Sequence, residues 1–338
     1  MVLPHIKTIE SIIKITHQEY LSVYKGKKIG VVVPAYNEEI LILDTLKSMP
    51  ECIDRIFVVE DGSKDHTRAL IEAQQQQDGR IELVAHPTNL GLGKSLIDGY
   101  LASLKSDVDY TVVMAGDNQM HPDDLPALLD QLVEQGYDYV KGNRLLHANY
   151  REMPLYRFLG NAVLTILTKF ATGYYRLMDP QCGYTAIKNS VLAQIPIQSM
   201  TCGYGYNADI LTMLNIQGFR VTDAEVRPVY GREKSKIKLW KYIPRVSSLL
   251  VRLFFQRLWW RYLVKDFNPL VMLYLFGFFN IIFVFIPFTI RFFVLWKQLN
   301  AAPELTLIIL VFTLLITFQS FIFAVWMDMD YNNDRKNR

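Results

Sequence analysis

Two long uncharged segments near the carboxyl end constrain this chain more than any other feature. Residues 267–290 form a run of 24 residues without a formal charge, and Leu305–Trp326 form a second run of 22. A helix needs about 20 consecutive apolar residues to cross a bilayer, so each run is predicted to span a membrane. Two buried core helices are the alternative, but such helices seldom continue this far without a charge.

A strongly basic segment lies just before the first span. Arg232–Lys265 contains ten Lys or Arg residues and a single acid, Glu233. Attraction to anionic lipid contributes about 1 kcal/mol for each basic side chain near a membrane surface. Nucleic acid is the other usual partner of a basic run, but the adjoining spans favour membrane lipids. The positive-inside rule then places the large amino-terminal part in the cytoplasm, and we expect a bacterial inner membrane.

The basic segment is predicted to form helices at the membrane surface. From Pro244 onward, Arg245, Ser248, Arg252 and Gln256 share one helical face, and the polar stripe then moves to Arg257, Arg261 and Lys265. This shift predicts two interfacial helices with a bend between them, with the basic side chains in the headgroup layer. Isoleucines at helical intervals predict a further amphipathic helix at the amino terminus, over residues 1–27.

The region from Lys28 to Gly142 alternates between strand and helix patterns. The predicted strands are Ile29–Pro34, Arg55–Glu60, Ile81–Ala85, Tyr110–Ala115 and Tyr137–Gly142. The predicted helices are Glu39–Met49, Thr67–Gln77, Lys94–Ser106 and Pro122–Gln135, followed further on by Met153–Thr172 and Asn207–Ile216. This alternation predicts an α/β fold with a mostly parallel, Rossmann-like sheet and helices on both faces. Ligands of such sheets bind beyond the carboxyl ends of the strands.

Asp117 is the strongest candidate for a functional residue, because it follows a buried strand directly. A nucleoside diphosphate needs a divalent cation to neutralise the leaving group, and Mg²⁺ is usually held by one or two carboxylates together with the phosphates. Asp117 and Gln119 therefore predict a site for Mg²⁺ or Mn²⁺. The alternative is an ordinary turn aspartate that caps the helix beginning near Pro122.

Two further polar segments follow neighbouring strands, Pro34–Glu38 and Glu60–Ser63. Asp61 could accept a hydrogen bond from a base, and Tyr36 could stack on it. With Asp117 they resemble the nucleotide-binding edge of family 2 glycosyltransferases, which have the GT-A fold. The similarity continues, in order, through Asn89–Lys94, Lys141–Arg144, Asp179–Tyr184 and Arg232–Lys236. With the basic segment and paired spans, the chain resembles the subgroup that glycosylates polyprenyl phosphates, such as dolichol-phosphate mannose synthases.

This resemblance implies a role for each matching residue. For the nucleotide-sugar donor, it assigns Pro34, Tyr36, Glu38 and Asp61 to the base and ribose, and it places Lys94 and Gly116 in the same binding site. It assigns Asp117 and Gln119 to the metal and the diphosphate. The acceptor phosphate would be bound by Arg144, Arg157 and Arg232. One departure concerns the family's Asp-x-Asp motif, because Ala115 replaces its first acid. The ribose contact of that acid would be lost or supplied by another group such as Glu60.

The expected reaction is an inverting transfer of a hexose from a UDP- or GDP-sugar to undecaprenyl or dolichyl phosphate at the cytoplasmic membrane face. The acceptor oxygen is already anionic at neutral pH, so it needs positioning by arginines rather than a general base. Asp179 would act as a base or orient an arginine. The alternatives are a polysaccharide or diacylglycerol acceptor, or an inactive nucleotide-sugar-binding regulator. A homo-oligomer is compatible with the sequence.

These inferences divide the chain into five parts. They are an amphipathic helix (1–27), the catalytic domain (28–231), the acceptor loop with the interfacial helices (232–266), two spans (267–327) and a tail (328–338).

Overall fold

The computed structural model describes residues 24–146, 155–203, 205–228 and 239–333. The chain forms two compact units, one ending at Leu253 and one beginning at Phe254. The amino-terminal helix predicted for residues 1–27 lies almost wholly outside the described residues, and so does the acceptor loop at 232–236.

A seven-stranded sheet forms the centre of the first unit. Its strands are β1 (Ile29–Ala35), β2 (Arg55–Glu60), β3 (Ile81–Ala85), β4 (Tyr110–Val113), β5 (Tyr139–Asn143), β6 (Thr185–Lys188) and β7 (Val221–Glu225). They lie in the order β3-β2-β1-β4-β6-β5-β7. β6 runs antiparallel to both of its neighbours, and the other adjacent strands are parallel. The prediction of a mostly parallel sheet is confirmed.

Helices cover both faces of this sheet, as the pattern predicted. The helices of the first unit are α1 (Ile42–Lys47), α2 (Thr67–Gln75), α3 (Leu92–Lys105), α4 (Leu125–Val133), α5 (Leu155–Thr172), α6 (Asn189–Leu192) and α7 (Tyr206–Gln217). Val31 and Val33 of β1 point into one buried cluster, and Val32 between them points into the other. A Cβ at Gly99 of α3 would lie 2.3 Å from Val32 Cγ1, so a glycine allows this helix to approach the sheet closely.

Helix α8 (Leu239–Trp259) runs from the first unit into the second. Pro244 was predicted to begin this helix, but it lies inside it, where its missing N–H removes one helical hydrogen bond. Arg245 and Arg252 are exposed and Leu250 is buried, so the helix is amphipathic as predicted. A π-helical segment, Trp260–Lys265, follows directly. Its wider turn begins three residues after the polar stripe shifts to Arg257, because α8 continues as a regular helix through Gln256 and Arg257.

The prediction that Arg257 and Arg261 reach the headgroup layer is wrong, because both side chains are buried. Arg257 donates two hydrogen bonds to Asp328, at 2.8 and 2.7 Å, and one to the hydroxyl of Tyr262. Asp328 is 71 residues away in the chain, near the end of the second span, so local periodicity could not reveal this partner.

Two helices of the second unit are long and apolar enough to cross a membrane. The first, Leu270–Leu299, consists of α9 (Leu270–Phe279), a π-helical segment (Asn280–Phe285) and α10 (Ile286–Leu299), and its most apolar part has a mean hydropathy of 2.4. The second is α11 (Glu304–Asn333), whose apolar part has a mean hydropathy of 2.5. They pack closely where Gly277 faces the ring of Phe321. Both predicted spans are therefore present as apolar helices.

Candidate active site

The strand directions bring nearly all the predicted site segments to one edge of the sheet. β1, β2 and β4 are parallel, and β5 has the same direction because both β4 and β5 are antiparallel to β6. The carboxyl ends of these four strands therefore lie at the same edge. The segment that precedes β6, which contains Asp179, also approaches this edge because β6 begins there.

The loop after β1 is fastened to the loop after β2. The N–H of Asn37 donates to Ser63 Oγ at 3.1 Å, and the N–H of Glu38 donates to Thr67 Oγ1 at 2.8 Å. Asn37 itself has a positive φ of 56°, a conformation that asparagine tolerates. Tyr36 and Glu38, both predicted to bind the nucleotide, are held half-buried in this loop.

Asp61 lies at the end of β2, as predicted, but it is largely enclosed by protein. Its Oδ1 accepts the N–H of Leu90 at 2.8 Å and lies 2.7 Å from His86 Nδ1. Its Oδ2 accepts the N–H of Gly91 at 2.9 Å. A carboxylate oxygen has two lone pairs, so Oδ2 retains capacity for one more donor. Its contact with a nucleotide base stays a prediction.

Asp117 occupies a tight turn after β4. Asn118, the next residue, has a φ of 56°, and the N–H of Gln119 donates to Asp117 Oδ1 at 3.1 Å. The turn is tied to β1, since the N–H of Gly116 donates to the carbonyl of Pro34 at 3.1 Å. The predicted metal residues are thus positioned beside the predicted nucleotide loop. The alternative that Asp117 caps the following helix does not apply, because the cap acceptor is His121, whose Nδ1 accepts the N–H of Asp123.

The donor groups of this turn suit a hard divalent cation. Asp117 and Gln119 offer carboxylate and amide oxygens, the ligand types that Mg²⁺ and Mn²⁺ prefer. Within the described ranges, no group of three or more His, Cys, Asp or Glu residues could hold a metal ion. Two such groups would form an incomplete cage, of the kind in which the diphosphate of a substrate supplies further oxygens.

Arg144 and Asp179 form a bidentate ion pair at the end of β5. Arg144 Nε lies 2.7 Å from Asp179 Oδ2, and Nη2 lies 3.1 Å from Oδ1. The carboxylate is only 5% exposed, whereas the arginine side chain is 30% exposed. Of the two roles expected for Asp179, base or orienting group, this geometry matches the second.

A second carboxylate lies behind this pair. Asp223 Oδ2 accepts hydrogen bonds from the N–H of Met178 at 2.6 Å and from Asn143 Nδ2 at 3.1 Å, while its buried Oδ1 accepts none from the described residues. Burial, the largest cause, and the negative charge of Asp179 raise the pKa of Asp223 to about 6. Asp223 was not predicted from the sequence, because it lies within β7 and not at the end of a strand.

Lys141 of β5 is buried beside these acids, although it was noted only as part of a motif. Its ammonium donates to the carbonyl of Cys182 at 2.7 Å and to Asn207 Oδ1 at 2.8 Å. Burial lowers the pKa of Lys141 to about 8. These hydrogen bonds join β5 to the Asp179–Tyr184 segment and to α7.

Lys94, predicted to lie in the donor site, forms an ion pair within α3. Its Nζ lies 2.6 Å from Asp98 Oδ1, and Asp98 Oδ2 lies 2.9 Å from His86 Nε2. His86 in turn contacts Asp61. Sequence reasoning missed His86 and Asp98, although His86 directly follows β3 and the strand-end rule would have found it.

Two predicted acceptor residues cannot be located. Arg232 lies outside the described residues, and the side chain of Arg157 does too, although its backbone belongs to α5. Within its described part, α5 carries an exposed apolar stripe, composed of Val163, Ile166, Leu167 and Phe170.

Comparison with known proteins was consistent with this architecture. Residues 30–194 match the family described as Glycosyl transferase family 2. The UDP-N-acetylglucosamine–dolichyl-phosphate N-acetylglucosaminyltransferase of Methanococcus voltae is 25% identical, over 60% of this chain and 86% of its own length. The polyprenol monophosphomannose synthase of Mycolicibacterium smegmatis is 27% identical, over 58% of this chain and 75% of its own.

A solved structure shows the same fold. Glucosyl-3-phosphoglycerate synthase of Mycobacterium tuberculosis, in complex with Mn²⁺, UDP-glucose and phosphoglyceric acid, aligns with a TM-score of 0.51 at 21% identity. The alignment covers 69% of this chain and 80% of that one. The chain thus carries a glycosyl transferase family 2 domain with a GT-A-like fold.

Proposed function

We propose that this protein is an inverting, metal-dependent hexosyltransferase that moves a sugar from a UDP- or GDP-sugar to a polyprenyl phosphate at the cytoplasmic surface of a membrane. The carrying observation is the Arg144–Asp179 pair, which presents a guanidinium on a buried carboxylate at the same sheet edge as Asp117. Two relatives support this acceptor, because one is named as a dolichyl-phosphate N-acetylglucosaminyltransferase and the other as a polyprenol monophosphomannose synthase.

The donor would bind at the ends of β1, β2 and β4. Tyr36 and Asp61 would contact the base, and Asp117 with Gln119 would hold Mg²⁺ or Mn²⁺ against the diphosphate. Such an ion stabilises the negative charge that develops on the leaving group. Because Ala115 supplies no carboxylate, Asp117 would be the sole acidic protein ligand in this turn.

The acceptor would bind beside Arg144. A guanidinium matches two phosphate oxygens, and Asp179 fixes its orientation before the acceptor arrives. A phosphate monoester has a second pKa of about 6, so its attacking oxygen is ionised at neutral pH. The enzyme then needs to align this oxygen with the anomeric carbon, opposite the departing diphosphate, which inverts the configuration.

Two apolar helices and several exposed apolar side chains of the first unit support transfer at a membrane surface. The stripe on α5 and the nearby Leu146 and Met178 are exposed. Leu146 is two residues from Arg144, and Met178 directly precedes Asp179. An acceptor with a long isoprenoid tail would find apolar surface next to the arginine that binds its phosphate.

Product mass after incubation with a donor panel tests this function. Purified full-length protein with Mn²⁺ would be supplied with UDP- and GDP-hexoses and undecaprenyl phosphate. We expect one donor to give a glycosyl phosphoprenol, with Mn²⁺ or Mg²⁺ required. Transfer to diacylglycerol or to a growing polysaccharide, with none to undecaprenyl phosphate, would refute the acceptor assignment.

A further inference from the structure

On the donor side of the first unit, four side chains of alternating charge contact one another in series: Asp61, His86, Asp98 and Lys94. His86 Nδ1 lies 2.7 Å from Asp61 Oδ1, and His86 Nε2 lies 2.9 Å from Asp98 Oδ2. Asp98 Oδ1 is bound by Lys94 Nζ at 2.6 Å. The imidazole is only 7% exposed, so water does not substitute for these contacts.

The geometry determines the charge of His86. A neutral imidazole has one N–H donor and one lone pair, whereas both ring nitrogens here face carboxylate oxygens. Asp61 and Asp98 are the ionisable side chains that contact the ring among the described residues, and Lys94 lies beyond Asp98. Both contacts are favourable only if both nitrogens carry protons, which makes His86 an imidazolium.

This cation supports a carboxylate that organises the loop between β3 and α3. Besides His86, Asp61 accepts the N–H groups of Leu90 and Gly91. The backbones of Gly62 and Thr88 approach closely, since a Cβ at Gly62 would lie 2.4 Å from the carbonyl carbon of Thr88. The position of Asp61 and that of residues 88–91 are therefore coupled.

We propose that His86 is a positioning residue of the donor site, which holds the Asp61 carboxylate directed toward the nucleotide base. This inference rests on the proposed function, since it assumes that Asp61 lies beside the base. An ionised carboxylate accepts a hydrogen bond, so it favours bases with a ring N–H, such as uracil and guanine. It disfavours cytosine, whose corresponding ring nitrogen carries a lone pair. His86 thereby contributes to the choice of nucleotide.

The charge of His86 can be measured directly by nitrogen NMR of histidine-labelled full-length protein in detergent at pH 7.5. The His86 signal is identified by its loss in His86→Gln. We expect both ring nitrogens to be protonated. Asp98→Asn should yield a neutral ring, because the new amide can donate to Nε2 while Nδ1–H still donates to Asp61. A neutral ring in the unmodified protein would refute the charge assignment.

The positioning role is tested by calorimetric titration with UDP, GDP and CDP in the presence of Mn²⁺. For whichever of UDP and GDP binds, Asp98→Asn and His86→Gln should weaken binding by about tenfold or more, the effect of ~1.4 kcal/mol. Binding of CDP should change less. His66→Gln is the matched control, because His66 is exposed and pairs with Glu39 rather than with Asp61 or Asp98.

The experiments distinguish a wrong role for His86 from a wrong nucleotide-sugar donor. If the ring is charged but neither variant changes the affinity for UDP or GDP, the positioning role is refuted and the proposed function stands. If the unmodified protein binds neither UDP nor GDP, the proposed donor is wrong, and the role of His86 in selecting it is refuted too. Circular dichroism of each variant separates loss of binding from loss of fold.

Discussion

Replacing Arg144 by alanine removes the partly exposed partner of the buried Asp179 carboxylate. The Asp179 carboxylate, 5% exposed, would lose two charge-assisted hydrogen bonds and keep a long contact from the N–H of residue 144, at 3.4 Å. Breaking a fully buried pair costs about 3–5 kcal/mol, and the partial exposure of Arg144 should reduce this toward ~2 kcal/mol. The domain should therefore fold but unfold at a lower temperature.

The effect on catalysis should concern the acceptor. A charge-assisted hydrogen bond contributes about 1.5–3 kcal/mol, so kcat/KM for undecaprenyl phosphate should fall by roughly 10–150-fold. The affinity for UDP- or GDP-sugar should change little, because Tyr36 and Asp61 follow other strands, β1 and β2. Arg144→Lys keeps the positive charge but lacks the planar guanidinium that binds two oxygens at once, and it should give an intermediate loss of kcat/KM.

Arg80 provides a matched control. It forms a bidentate pair with Asp78, at 3.0 and 2.8 Å, and its side chain is 29% exposed. It precedes β3, so it lies at the opposite edge of the sheet. Arg80→Ala should reduce stability without changing acceptor kinetics. If both variants reduce kcat/KM for the acceptor equally, or if Arg144→Ala abolishes nucleotide binding, the acceptor assignment is wrong.

Three further predictions follow from other contacts. Asp117→Ala should lower kcat to background and remove the dependence on Mn²⁺, whereas Asp123→Ala, which alters an exposed neighbour, should stay active in the same assay. Asp223 has a pKa raised from 3.8 to about 6, so the stability it contributes is present below pH 3.8 and lost as the pH rises through 6. Asp223→Asn should flatten this dependence, by up to about 3 kcal/mol, in thermal unfolding across pH 4–7. Arg257→Met should destabilise the second unit by about 3–5 kcal/mol, and Asp328→Leu in the same chain should restore most of the loss, measured by unfolding in detergent.

The sequence predicted the fold because its strands and spans are local patterns. The buried strands of the sheet are continuous apolar runs, and β2 and β3 begin and end where predicted. The antiparallel position of β6 was not predictable, because its pairing with β4 and β5 joins segments far apart in the chain. The end of β4 was predicted two residues too late, since Ala115 already belongs to the turn that carries Asp117.

The candidate site was predictable to the extent that its residues follow strands. Asp61, Asp117 and Arg144 all do, and the topology brings their strand ends to one edge. Their partners were less accessible to sequence reasoning. The contact between His86 and Asp61 depends on the pairing of β2 with β3, and Asp223 reaches the site from the interior of the last strand. Such contacts arise from tertiary packing, which periodicity does not encode.

The identity of the acceptor can be tested through Asp223. An ionised phosphate needs no general base, whereas the hydroxyl of diacylglycerol does. Both oxygens of Asp179 bind Arg144, so Asp223 is the carboxylate near this pair that could act as the base. A pH profile alone cannot separate the two cases, because a phosphate monoester and Asp223 both titrate near pH 6.

The variant Asp223→Asn separates them. With a phosphate acceptor, the variant should keep kcat within about threefold, and the rate should still rise through pH 6, because the acceptor itself ionises there. With a hydroxyl acceptor, the variant should lose about 10²–10⁴-fold in rate and the rise near pH 6 should disappear. Nearly full activity with an unchanged profile therefore supports polyprenyl phosphate, whereas a large loss of activity with undecaprenyl phosphate would refute base-free transfer.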